Sequence, residues 1–176
     1  WTDMGGIGGA GMVADLSKLS SDRKGLRHTV VHELVHQVHG PSQDRLGDPD
    51  RGTVLDRIVS EGLGTYAAHV HAAGARTPAD AVGYSEDEWR WALAHEAELA
   101  EAAAGLLDSR DRADVDRVAS RNQSILDPGV GAPGYFLGFR IVEAYEARHG
   151  AGSWAEMLGL PVREALRRSG YPHLLP

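Results

Sequence analysis

The sequence predicts a mainly α-helical fold with one or two short strands near its start. Three observations carry this. Apolar residues recur at three- and four-residue spacing through most of the chain. Gly and Pro fall at the ends of those runs. Two Ser-x-x-Glu pairs, Ser85 with Glu88 and Ser153 with Glu156, have the spacing of capping boxes. At 176 residues the chain suits one domain, taken as 1–176, with a substantial core.

Residues 1–11 (WTDMGGIGGAG) read as a Gly-rich loop and 12–19 (MVADLSKL) as a short strand. A helix is expected over about 22–39. Val31, Leu34, Val35 and Val38 form its expected core face, and Gly40-Pro41 its stop. A polar loop, 41–52, leads to a second helix over about 53–73 that carries Val54, Leu55, Ile58, Val59, Leu63, Tyr66 and Val70. Residues 74–84 read as a loop, Ser85 as the cap of a helix to about Leu107, and 110–121 as a shorter charged helix. A Gly/Pro linker, 127–134, precedes a helix over 135–149 that Gly150 ends. Pro161 is placed as the first residue of a last helix reaching Ser169.

Composition narrows the chemistry. A net charge of −7 argues against nucleic acid or an anionic membrane as partner. No apolar run approaches the ~18 residues of a membrane span. Cysteine is absent, which excludes disulfides, thiolate catalysis, iron–sulfur clusters and Cys-type zinc sites. Any metal site must use His and carboxylates. Position 1 is Trp, so a processed form or an excised piece is expected. Compartment and oligomeric state stay open. Gly6 to Gly11 match G-x-G-x-x-G, but only five residues precede them, too few for the strand a dinucleotide site needs.

Residues 32–36 read His-Glu-Leu-Val-His, an H-E-x-x-H motif. Four residues along a helix rise about 6 Å in just over a turn, so His32 and His36 share a face and can converge on one ion. Glu33 projects roughly 100° away, as a base for hydrolysis rather than a ligand. The apolar stripe and the histidine stripe are expected to be adjacent but distinct, one on the core and one lining a cleft. His28 and His39 fall near the histidine stripe. The alternative is a helix that carries the pattern with no metal.

A catalytic zinc site typically has three protein ligands. The longer H-E-x-x-H-x-x-G-x-x-H motif would place Gly at 39 and His at 42, where the chain has His39 and Ser42. Glu61 is the better third ligand. It lies in IVSEGLGTYAA, where an ionised carboxylate is costly unless paired or metal-bound. Gly62 and Gly64 leave room for close helix approach, and the loop before the helix can fold it antiparallel onto the first. The alternative is an i, i+4 ion pair with Arg57. His69 and His71 are fallback ligands.

His32, Glu33 and His36 followed some 25 residues later by Glu61 is the gluzincin arrangement. HELVHQVHG, VLDRIVSEGLGTYAA, GYFLGFRIVEAYEARHG and SWAEMLGLPVREALRRSGY together resemble a bacterial family of predicted zinc-dependent proteases of unknown function, over about residues 26–172. The resemblance implies a zincin-like helical domain, Zn2+ held by His32, His36 and Glu61, and Glu33 as base. It points to Gly134-Tyr135 and Gly138 as a helix start near the cleft. Gly64 stands where the family pattern has Ala. Thermolysin-like gluzincins carry an Asp four residues after the ligand Glu, supporting a zinc His; here that position is Thr65. The N-terminal part of the family's domain is short here, so 1–20 read as the remnant of a larger part, with 12–19 as candidate substrate-binding edge.

The expected activity is peptide-bond hydrolysis by a zinc-bound water that Glu33 activates. Tyr135 is the chosen oxyanion donor, ahead of His149, His95 and Arg140; its alternative is a packed aromatic. The competing readings are a zinc hydrolase of a small amide or specialised metabolite, and a non-catalytic zinc-stabilised helical module. Glu33 speaks against the last, because a structural site needs no base.

Overall fold

The computed structural model describes residues 23–42, 52–71 and 77–174. The fold is built on α2, Val54–His71. Its start is fixed by a reciprocal pair: Thr53 N donates to Asp56 Oδ2 at 2.7 Å, and Asp56 N donates to Thr53 Oγ1 at 3.1 Å. From Val54 to Ala68 every residue except Arg57 is buried. A helix buried on all sides belongs at the centre of a bundle, where each fully covered Leu or Ile contributes about 1.5–3 kcal/mol.

Two helices flank it. α7, Pro133–His149, packs on α2 most extensively, and α1, Arg23–Ser42, packs next. Ile58 lies against Gly134, Gly62 against Gly138 and Tyr66 against Phe139, so α7 runs parallel to α2. His36 meets Ser60 and His32 meets Gly64, so α1 runs antiparallel to it, as expected. The remaining elements are α3 (Pro78–Val82), α4 (Glu86–Ala94), α5 (Glu96–Ala104), α6 (Arg112–Ala119), a 3-10 segment (Ser153–Gly159) and α8 (Val162–Ser169). They close the core around Phe136, Leu137, Phe139, Ile141, Val142 and Tyr145, all fully buried.

The mainly α expectation holds, and no strand occurs among the described residues; segment 12–19, expected as a strand, lies outside them. The Ser85–Glu88 capping box forms in both directions. Other local expectations change. Loop 74–84 contains α3, capped by Thr77 and Asp80. The helix expected over 85–107 breaks at His95, whose ring Nδ1 lies 2.8 Å from the Trp91 carbonyl and shares it with the backbone N–H. Ser153 and Glu156 do not form a box. Glu156 instead accepts from the Tyr145 hydroxyl at 3.1 Å, and the segment winds as 3-10 helix. Pro161 caps α8 rather than opening it. α1 runs to Ser42, past Gly40-Pro41, because a proline near a helix end removes only one ladder bond.

The largest correction concerns α1. Of its expected core face, Val35 is buried and Val31 packs half-buried against the core, whereas Leu34 and Val38 are 50% and 58% exposed. The inward stripe is His28, Thr29, His32, Val35, His36 and His39. The histidine stripe and the inward stripe are thus one face, because the groups these rings meet lie on α2.

Candidate metal centre

One turn of α1 sets His32 and His36 above Glu61 of α2. The two Nε2 atoms are 2.9 Å apart. Glu61 Oε2 is 3.1 Å from His32 Nε2 and 3.5 Å from His36 Nε2. Three lone-pair atoms that close repel unless a proton or cation sits among them. A triangle with these edges leaves each corner about 2 Å from a point just off its plane, the ordinary zinc–ligand distance. The donor set, two imidazoles and one carboxylate, also suits zinc. Among the described residues these three form the group able to hold a metal.

The electrostatics favour a cation. Glu61 is 4% exposed. Burial works against its charge, yet His36, Arg57 and hydrogen bonds from both histidines hold it well below the usual carboxylate range. Burial also opposes charge on His36, but Glu61 and Glu33 outweigh it and push that ring's pKa up.

Each group has a partner behind it. His36 Nδ1 is 3.0 Å from Ser60 Oγ, so a proton on Nδ1 donated to Ser60 leaves Nε2 free as a ligand. Arg57 Nε lies 3.3 Å from Glu61 Oε1, the oxygen turned away from the histidines. The expected alternatives for Glu61 therefore coexist: it pairs with Arg57 through one oxygen and faces the histidines with the other. His32 rests on Gly64, where a Cβ would come within 2.9 Å of its ring.

Tyr135, in the first turn of α7, reaches the same place. Its ring stacks on His32, with centroids 6.3 Å apart and planes 10° apart. Burial, then the nearby Glu61 carboxylate, push its hydroxyl pKa up. Arg121 sits 5.4 Å from the ring centroids of both Tyr135 and Tyr84, and Tyr84 donates to the Gly131 carbonyl at 2.9 Å. These contacts hold the turn from which α7 starts. Glu33 is partly exposed on α1, near enough to His36 to act on its charge.

The other candidates are engaged elsewhere. Arg140 binds Glu96 and Glu143, His149 Nε2 lies 3.1 Å from the Arg168 carbonyl, and His95 stacks on Trp91. His69 packs on Tyr66 and Phe139, and His71 on Trp154.

A family described as predicted Zn-dependent protease matches residues 2–167. The chain belongs to that family. Neither a curated protein nor a solved structure matches it. The match takes in the Gly-rich start, ahead of the residues that carried the resemblance. Thr65 is fully buried and its hydroxyl makes no hydrogen bond among the described residues. It does not support a histidine. Ser60, which the motif gives no reason to single out, does. Its signal was a hydroxyl in an apolar helix, directly before the buried carboxylate.

Proposed function

We propose that the protein is a zinc-dependent metallopeptidase of the gluzincin type. His32, His36 and Glu61 are its ligands, Glu33 its base and Tyr135 its transition-state donor. The observation that carries the reading is the convergence of three ligand atoms, all within 4.8 Å of one another, from an H-E-x-x-H helix and a buried glutamate. Zinc, when bound, supplies a Lewis acid and a water acidified toward neutrality.

The chain's own residues supply the rest. Glu33 takes a proton on its carboxylate and returns it to the departing amine. Tyr135, its pKa raised, keeps its proton and acts as a donor to the oxyanion. The substrate is taken as a peptide, in keeping with the family's description. The reading treats 1–176 as one domain, supported by a match over 2–167 and a shared core cluster.

Metal content of purified protein, wild type beside Glu61→Ala, tests the assignment. One zinc per chain, lost or weakened in the variant, supports it. Zinc retained in Glu61→Ala moves the third ligand elsewhere. No metal in wild type after zinc is supplied removes the enzyme reading.

A further inference from the structure

His36 and Glu61 do not hold themselves in place. An imidazole can ligate through either nitrogen, and a carboxylate through one oxygen or both. Each choice is made by whatever occupies the other atom. In this chain both other atoms meet residues of a single turn of α2.

Ser60 is 2% exposed, and its Oγ lies 3.0 Å from His36 Nδ1, while His36 Nε2 faces His32 and Glu61. Arg57, one turn before Glu61, puts Nε 3.3 Å from Oε1 as an ion pair without a hydrogen bond, while Oε2 faces the histidines. Thr65, at the position where the thermolysin-like arrangement supplies a carboxylate, makes no such bond.

We infer that Ser60 and Arg57 are positioning residues for the metal centre: Ser60 fixes His36 as an Nε2 ligand, and Arg57 restricts Glu61 to one-oxygen ligation. The inference rests on the metal assignment above. It adds that the orienting partner of the second histidine is a neutral hydroxyl, placed before the ligand glutamate in the chain rather than after it. It also gives Arg57 a role opposite to that of an affinity determinant. A guanidinium beside a dication weakens its binding, so Arg57 acts on coordination geometry.

The test uses zinc titration against a chromogenic chelator and the visible spectrum of the cobalt(II)-loaded protein, with circular dichroism as a check of folding. Ser60→Ala is expected to bind one zinc about 10- to 100-fold more weakly. Ser60→Thr, which keeps the hydroxyl, should recover most of the loss. Arg57→Gln is expected to bind zinc at least as tightly as wild type. Its cobalt bands should weaken, because a carboxylate ligating through both oxygens raises the coordination number above four and tetrahedral cobalt absorbs most strongly. Arg57→Lys should keep the wild-type spectrum.

Unchanged zinc affinity in Ser60→Ala, or an unchanged cobalt spectrum in Arg57→Gln, overturns the assignment for that residue while leaving the metal site standing. A wild type that binds neither ion overturns both.

Discussion

Gly62 of α2 and Gly138 of α7 touch backbone to backbone. A Cβ on Gly138 would overlap the Ile58 carbonyl and lie 2.7 Å from Gly62 Cα. The crossing sits one residue from Glu61, so it sets how α2 presents the carboxylate. Neither backbone can yield as a side chain would. Gly138→Ala is expected to destabilise the fold by about 3 kcal/mol, measured by urea unfolding. A loss well under 1 kcal/mol would show that the helices can part.

Gly64 lies two residues further on and should behave differently. The three atoms nearest an alanine there all belong to the His32 ring, at 2.9 to 3.1 Å, and a ring at the end of a side chain can shift by a few tenths of an ångström. Gly64→Ala should gain about 1 kcal/mol in helix propensity. It should lose zinc affinity only a few-fold. Lower stability, or a loss of zinc binding, would contradict this account of the contact.

His39 links stability to pH. It is 1% exposed, and burial, then nearby His36, lower its pKa from 6.5 to about 4. Between those values the unfolded chain binds a proton that the folded chain refuses. Stability from this group is therefore full above pH 6.5 and falls as pH drops toward 4, by about 3 kcal/mol in all. Urea unfolding at steps across that range, with a chelator present, should show a steeper decline for wild type than for His39→Leu. Parallel declines would assign the pH dependence to other groups.

Glu33 separates metal binding from turnover. Glu33→Gln should keep one zinc per chain, because Glu33 is not among the grouped ligand atoms, and should lower kcat on a peptide substrate by about a thousandfold or more. Full activity in this variant would end the mechanism proposed for it.

Tyr135→Phe removes one hydroxyl and leaves the ring on His32. A drop of about a hundredfold in kcat with little change in KM is expected if the hydroxyl donates only in the transition state. A change confined to KM would make Tyr135 a packing residue of the cleft.

The candidate site was largely legible in the sequence. Helical periodicity alone puts His32 and His36 on one face, and a lone carboxylate in IVSEGLGTYAA stands out by its desolvation cost. The Ser85–Glu88 cap was legible, whereas the equally reciprocal Thr77–Asp80 cap fell in a segment read as loop. The face of α1 was not legible. Leu34 and Val38 rank as core by hydropathy, yet they face outward while His32 and His36 turn inward to the buried Glu61. Ser60 was not assigned for the same reason, since its partner His36 comes from a neighbouring helix, whereas the Arg57–Glu61 pair, both on α2, was legible from its i, i+4 spacing. Ser153 and Glu156 show the converse. The spacing of a capping box is necessary but not sufficient when Tyr145 takes the glutamate first.

The division of the ligand atoms, two on α1 and one on α2, has a thermodynamic meaning. α1 holds to the rest of the described residues chiefly through α2 and the 3-10 segment, with Leu34 and Val38 left half exposed on its outer side. An ion shared across the α1–α2 seam binds only when the two helices are docked. Above saturation, each tenfold rise in free zinc then adds about 1.4 kcal/mol to the docked state. Metal binding at this site would therefore favour the docked position of α1 while leaving the α2–α7 contacts unchanged.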